Sequence, residues 1–536
     1  MSANCYAYSN TETQKNQVFF EKNFNFNIKF IFLDLRVLIL SNLTIKNRES
    51  ERLTGVLHIY IGKYNSERCE KRVTFFKYLS DAGVGVLLPL ILITCGAYFT
   101  IYLGGFYLLH PCKTWKLMFS REGGGKVSPL RALSVSLAGT LGVGNIVGVA
   151  VAIIMGGAGA LFWMWISAFL SMILKYAEIV LAMRYRSQRD GEIIGGPMYY
   201  MKNGIGGKTG KMFASVFAML GLLSSLTVGN VVQMNAAADA AYSTFHVARP
   251  VFGIVVAGIC AVVIFGGFRG ISRVTSVAIP VMSGLYLVLS ARAVILDAAR
   301  VPQVMNEIIR SAFSVSAASG GIIGFLLSGA LRHGVAKGSF THEAGCGTAP
   351  MAHVNSDTKI PAKQGLLGIF EVFFDTIVMC TLTGFVILLA NDGEFITDNG
   401  MLLVIYSFSK YYGKKAAYLI SFSILLFAFA TIICWAYYGK TCLTYFTRSR
   451  KAETVYLVAY CSLAAVGAVM SQGLVWEFSD ISVAVMTVLN LAAVLWLRRE
   501  VRMETECAGL CRPSLRCSVP LTDKREKPVG HVQKTP

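Results

Sequence analysis

From about residue 83 onward, long apolar runs of bilayer-crossing length alternate with short polar loops. Eleven runs predict spanning helices near 83–109, 130–156, 158–183, 211–240, 249–267, 272–296, 318–335, 364–391, 416–446, 453–470 and 475–497. The second run is interrupted in its middle by Gly139, Thr140, Gly142, Gly144 and Asn145. Each glycine weakens a helix by roughly 1 kcal/mol relative to alanine, and hydrocarbon penalises unpaired polar groups. Irregular backbone is tolerated at membrane depth only where protein buries it or a cavity runs beside it. The pattern therefore predicts a discontinuous helix that lines a site.

The seventh run, SAASGGIIGFLLSGALRHGVAKG, repeats the feature with Gly320, Gly321, Gly324 and Gly329. Spans 2–6 and 7–11 then form two halves of five, and an odd number of spans gives the halves opposite topology. Broken helices in corresponding positions of inverted halves point to a secondary transporter. No literal sequence repeat accompanies the pattern.

Composition agrees with this class. The 536 residues are 54% hydrophobic and 15% charged, with a mean hydropathy of +0.55. The chain is expected to be an all-α polytopic protein of the lipid bilayer. Its formal charge of +20 brings no basic aromatic groove or nucleic-acid motif. The basic residues instead collect in alternate loops, around Lys113 to Arg131, Arg184 to Lys211, Arg269 and Arg273, Lys337 to Lys363, Lys440 to Lys451, and Arg498 and Arg499. With eleven spans these fall on one side, which places the C-terminus in the cytoplasm and the N-terminus outside. Lys410, Lys414 and Lys415 dissent, as does the basic stretch 1–75. That extension, broken by Asp34 and Arg36, is a poor span and is expected to lie upstream of the natural start. Residues 76–500 form the transmembrane domain, and 501–536 a disordered cytoplasmic tail. The thirteen cysteines are mostly single in apolar runs and act as small hydrophobes.

A broken helix offers N–H groups to a carboxylate and carbonyls to Na⁺, with Thr140 and Asn145 adding oxygens. The competing structural reading is that Gly144 and Gly148 make a GxxxG helix contact. Asn230 and Gln233, three apart, either bond across helices or face the substrate. Thr431 and Trp435 share a helix face, where spacing alone favours packing for the Trp. Glu371 and Asp375, four apart inside the eighth run, suit a proton relay or pairs with loop cations. Lys175 and Glu178 are spaced as a structural i,i+3 pair. His333, His342 and His353 lack metal-ligand spacing. No nucleophile elbow, phosphate loop or kinase motif occurs, so an enzyme is not expected.

Several long runs, in order, resemble the alanine or glycine:cation symporter family. They are GTLGVGNIVGVAVAIIMGGAGALFWMWISAFLSMILKYAE at 139–178, GGPMYYMKNGIG at 195–206 and GNVVQMNAAADA at 229–240. AASGGIIGFLLSGALRHGVAKGSFTHEAGCGTAPMAH at 317–353, QGLLGIFEVFFDT at 364–376 and FAFATIICWAYYGK at 427–440 complete the set. The resemblance implies a LeuT-like five-plus-five inverted repeat with one extra leading helix. It implies uptake of alanine, glycine or similar small amino acids, driven by Na⁺ or sometimes H⁺, with no other cofactor and a monomeric chain. By motif match the amino acid would lie between 140–145, including Gly142 and Gly144, and 319–324, including Ser319, Gly320 and Gly321. Gln233 would supply a polar contact, and Trp435 and Ile322 would shape the pocket. Thr431 with second-span carbonyls would hold sodium, and Asn145 would serve the substrate or a second ion. Ile322 stands where the family has Phe, and the family's SNEAG reads Thr341-His342-Glu343-Ala344-Gly345, with His342 expected at the surface. The expectation is sodium-coupled symport by alternating access. The alternatives are proton coupling through Glu371 or Asp375, and a non-transporting sensor or channel.

Overall fold

A computed structural model describes residues 86–120, 127–189, 192–313, 328–391, 395–470 and 472–511. The N-terminal extension lies outside them. The first six runs become α1 (Leu88–Tyr102), α2 (Pro129–Thr140) with α3 (Val147–Gly156), α4 (Gly159–Arg184), α5 (Gly207–Leu226) with α6 (Val232–Phe245), α7 (Arg249–Phe265) and α8 (Gly267–Leu296). Next come α9 (Val301–Ala312), α10 (Gly329–His342), α11 (Pro361–Val372) with α12 (Thr381–Asn391), α13 (Gly400–Tyr412) and α14 (Lys415–Phe446). The described chain ends with α15 (Arg450–Gly467), α16 (Gln472–Trp496) and α17 (Arg498–Cys507). The only strands among the described residues are β1 (Ser187–Arg189) and β2 (Glu192–Ile194), paired antiparallel with Ser187 opposite Ile194.

Local chemistry sets the helix starts. Ser128 Oγ accepts from the Arg131 N–H while Pro129, which has no N–H to leave unpaired, opens α2. Ser328, Asn399 and Ser449 cap α10, α13 and α15 in the same way. Among the described residues, five helical stretches are long and apolar enough to cross a membrane: Gly159–Arg184, Gly207–Phe245, Gly267–Leu296, Pro361–Asn391 and Lys415–Phe446. α4 and α14 run through the interior, and Tyr176 and Trp435 are among their fully buried side chains. α7 instead turns Val251, Ile254, Val255, Ile259 and Val262 outward, an apolar face suited to lipid. The result is a multi-pass membrane protein.

Among these labelled helices, three depart from the sequence expectation. α9 and α13 occupy stretches read as connecting loops. α9 buries Val304, Ile308 and Ala312 at four-residue spacing and exposes Asn306 and Arg310, a stripe too short and polar for a spanning run. α13 is tied to the end of α8 by Lys410 and Tyr411, which donate to Asp297 at 3.0 and 2.8 Å. α17 lies where the disordered tail was expected to begin, bent by 63° from α16. It is ordered because Val501 and Thr505 are buried one turn apart, with Thr505 Oγ1 2.9 Å from Tyr176 Oη of α4. Arg184, at the end of α4, also pairs with Glu500 and Glu504.

Candidate functional site

Interruptions in four helical runs meet around one buried position. α2 stops at Thr140, the chain extends through Gly142, and one 3₁₀ turn at Val143–Asn145 precedes α3. The Gly142 N–H donates to Asn145 Oδ1 at 3.1 Å, and the Val143 N–H to Gln233 Oε1 at 3.2 Å. The freed Leu141 carbonyl lies 3.4 Å from the Thr431 hydroxyl of α14. A Cβ on Gly142 would stand 2.9 Å from Thr431 Oγ1 and 3.2 Å from Gln233 Oε1, so only glycine lets these groups close on the backbone. The structure thus brings Gly142, Asn145, Gln233 and Thr431 together.

Trp435, one turn beyond Thr431, is 1% exposed. Its ring lies flush on Gly229, where any Cβ would collide, and its Nε1 has no hydrogen-bond partner among the described residues. Gly229 belongs to a π turn, Thr227–Val231, that joins α5 to α6. Asn230 there donates to the Tyr460 carbonyl at 2.8 Å, so of the pair three apart Asn230 ties helices together and Gln233 faces the break. A longer π segment, Phe373–Cys380, joins α11 to α12. Asn145 Nδ2 donates to Asp375 Oδ1 at 2.7 Å within it, and Thr376 Oγ1 donates to Asp375 Oδ2 at 2.8 Å. Such π bulges cluster at functional sites because they re-aim side chains within a continuous helix.

Beneath the break lies a charged network with no exposure. Lys175 Nζ is 2.8 Å from Glu371 Oε1, and it also donates to the His342 carbonyl at 2.6 Å. Glu371 accepts from Ser136 at 2.9 Å and Thr140 at 3.2 Å, both on α2. Gln364 donates to His353 Nδ1 at 2.6 Å, which leaves the hydrogen on Nε2, 3.2 Å from Glu371 Oε2. Three expectations are corrected here. Lys175 pairs with Glu371 rather than Glu178, because helices on different sides of α4 draw the two side chains apart. Glu178 instead accepts from the Gly347 N–H at 3.1 Å and Asn490 Nδ2 at 2.8 Å. Glu371 and Asp375 are enclosed by helices and face interior donors rather than loop cations. His342 is buried rather than on the surface, and its Nδ1 accepts from the Ala344 N–H at 3.0 Å.

Ser319, Gly320, Gly321 and Ile322, with the break expected among them, lie outside the described residues. The described part of this run has an interruption of its own. α10 ends at His342, and Glu343, Gly345 and Gly347 take positive φ values of 51°, 85° and 81° before a short helix, Ala349–His353. The alternating glycines of GCG were the available sequence signal. This end of α10 touches the first break: a Cβ on Gly144 would be 3.2 Å from Thr341 Cγ2. At Gly148 it would meet nothing within 4 Å, so the proposed GxxxG contact packs only at Gly144. Two cavities approach the second run from opposite ends, one of 340 Å³ beside Val147 and Val151 and one of 380 Å³ beside Val127 and Tyr437. No cluster of three metal-ligating side chains occurs among the described residues.

Residues 70–507 match the family model of the sodium:alanine symporter family. An uncharacterized transporter of Haemophilus influenzae is 37% identical over 427 residues, covering 79% of this chain and 93% of the relative. The sodium/alanine symporter AgcS of Methanococcus maripaludis is 36% identical, with 79% and 94% covered. The probable sodium/glutamine symporter GlnT of Bacillus subtilis is 33% identical, with 77% and 86% covered. Among solved structures, MhsT in complex with L-phenylalanine shares the fold at a TM-score of 0.53 and 12% identity, covering 73% of this chain and 94% of that one. The chain therefore belongs to the sodium:alanine symporter family, whose members are membrane transporters and not enzymes.

Proposed function

We propose that this protein carries small neutral amino acids, alanine or glycine, into the cell together with Na⁺. The observation that carries this reading is the convergence on one buried helix break of the Leu141 carbonyl, the Thr431 hydroxyl and Gln233. Leu141 and Thr431 would hold the ion. Thr140, Gly142, Gly144, Gln233 and Trp435, with Ser319, Gly320, Gly321 and Ile322, would frame the amino acid. Asn145 would serve either. The similarity to AgcS, a sodium/alanine symporter, and to GlnT, a probable sodium/glutamine symporter, supports it. In this reading eleven spans form a leading helix and two inverted halves, with the N-terminus outside and the C-terminus inside, and a monomer alternates between states. Ion binding favours the substrate-competent state by linkage.

Radiolabelled alanine uptake into proteoliposomes, with and without an inward sodium gradient, is the test. Accumulation above the external concentration excludes a sensor or channel, and uptake indifferent to sodium rejects the coupling. A proton-coupled reading rests on Glu371 and Asp375, which are buried and hydrogen-bonded to the two sides of the first break. It requires uptake that follows a pH gradient and is abolished in Glu371→Gln or Asp375→Asn.

A further inference from the structure

Cations without partners crowd one end of the helix bundle. Lys208 and Lys211 lie at the start of α5, and the stretch from the end of α14 into α15 carries Arg448, Arg450 and Lys451. All five are exposed, and none of their side chains has an ion pair or hydrogen bond among the described residues. The acid in the first turn of α15, Glu453, neutralises none of them, because Lys440 holds it at 3.0 Å. The two groups are fastened side by side. The Met201 carbonyl packs on Gly210 of α5, where a Cβ would lie 2.5 Å from its oxygen. The next residue, Lys202, sets its ammonium 5.6 Å from the ring centroid of Tyr445 in the last turn of α14, and Tyr199 meets the same ring edge-on at 6.0 Å.

These cations head exposed apolar stripes. On α5, Lys208 is followed at intervals of three or four residues by Met212, Val216, Met219 and Leu223, all exposed. On α15, Lys451 is followed in the same way by Val455 and Val458. Such intervals keep each set on one helix face. A face that is cationic in its first turn and apolar in the turns beyond has the profile of a lipid, phosphate first and acyl chain after. A soluble polyanion would meet the charges and leave the stripes uncovered. We propose that this corner binds anionic phospholipid, its headgroup phosphate shared between Lys208, Lys211 and the α14–α15 turn, and its acyl chains along the exposed stripe of α5. A phosphate held in this way clamps α5 to α14 from outside, on the helix that carries Thr431 and Trp435. In the orientation proposed above, this end lies in the cytoplasmic leaflet, whose anionic lipids draw basic clusters to the surface.

Thermal unfolding of the purified full chain in detergent, titrated with dioleoylphosphatidylglycerol or dioleoylphosphatidylcholine, tests the proposal. Phosphatidylglycerol should raise the wild-type midpoint more than phosphatidylcholine at the same concentration. Each charge removed should raise the half-saturating phosphatidylglycerol concentration about fivefold, in Lys208→Gln and again in Lys208→Gln/Lys211→Gln. Lys208→Arg/Lys211→Arg should match wild type. Lys414→Gln/Lys415→Gln removes the same charge from exposed positions at the far end of α14 and should leave the titration unchanged. Equal stabilisation by the two lipids, or equal losses in the two Gln double variants, overturns the site. Stabilisation by soluble glycerol phosphate as large as that by phosphatidylglycerol overturns the lipid as its occupant. The readout does not involve alanine uptake, so its failure is separate from failure of the transport reading.

Discussion

Lys175 and Glu371 face each other with no solvent on either side, and each has further duties. Lys175 also holds the His342 carbonyl, and Glu371 also holds two hydroxyls of α2. Removing one member strands a buried charge, at a cost of about 3–5 kcal/mol, whereas an uncharged pair of similar shape is often tolerated. Lys175→Met and Glu371→Gln should each lower the thermal unfolding midpoint in detergent, and the double variant should recover most of the loss. A double variant less stable than either single one would contradict this account. At the break the limit is space. Gly142→Ala sets a methyl group against Thr431 and Gln233, and should raise the sodium concentration for half-maximal uptake. Gly258→Ala, on the outward face of α7 with nothing within 4 Å of its Cβ, should transport as wild type.

At the level of helices, the sequence pattern located the five stretches that are long and apolar enough to cross a membrane among the described residues, and the first break, because glycine, Thr and Asn in mid-run are costly and conspicuous. It did not locate the π segments. Phe373–Cys380 is continuous in hydropathy with α11 and α12, and a bulge leaves no mark in an apolar window. α9 escaped because its buried stripe is only three residues long, and α17 because its order comes from α4 rather than from its own composition. Spacing within one helix also misassigned Lys175, whose partner lies on another run, and the burial of His342 depends on neighbours distant in sequence. The α17 contact is separately testable. Its ion pairs with Arg184 are partly exposed, so together they contribute on the order of 1 kcal/mol. Arg184→Gln should therefore speed amide hydrogen exchange at 498–507 while leaving exchange in α14 unchanged.

For the whole molecule, the proposed sharing of one break by sodium and an amino acid requires the two ligands to be coupled in both directions. If sodium tightens alanine binding by some factor, alanine tightens sodium binding by the same factor. Isothermal titration of alanine with and without sodium, and of sodium with and without alanine, should return matching ratios; an alanine Kd independent of sodium would exclude the shared site. Either ligand at about 100 times its Kd should add about 2.7 kcal/mol to stability, visible as a raised unfolding midpoint. The buried ion pair has a further consequence during synthesis. α4 leaves the ribosome carrying Lys175 and Glu178, long before α11 exists to supply Glu371. A charged residue at the centre of an inserting helix costs about 2.5–3.5 kcal/mol on translocon scales. The expected outcome is that the early helices wait as an unfinished assembly, sheltered by insertase or neighbouring protein rather than released into lipid. A chain cut between α9 and α10 should yield a fragment that is degraded when made alone and rescued when its complement is made in the same cell.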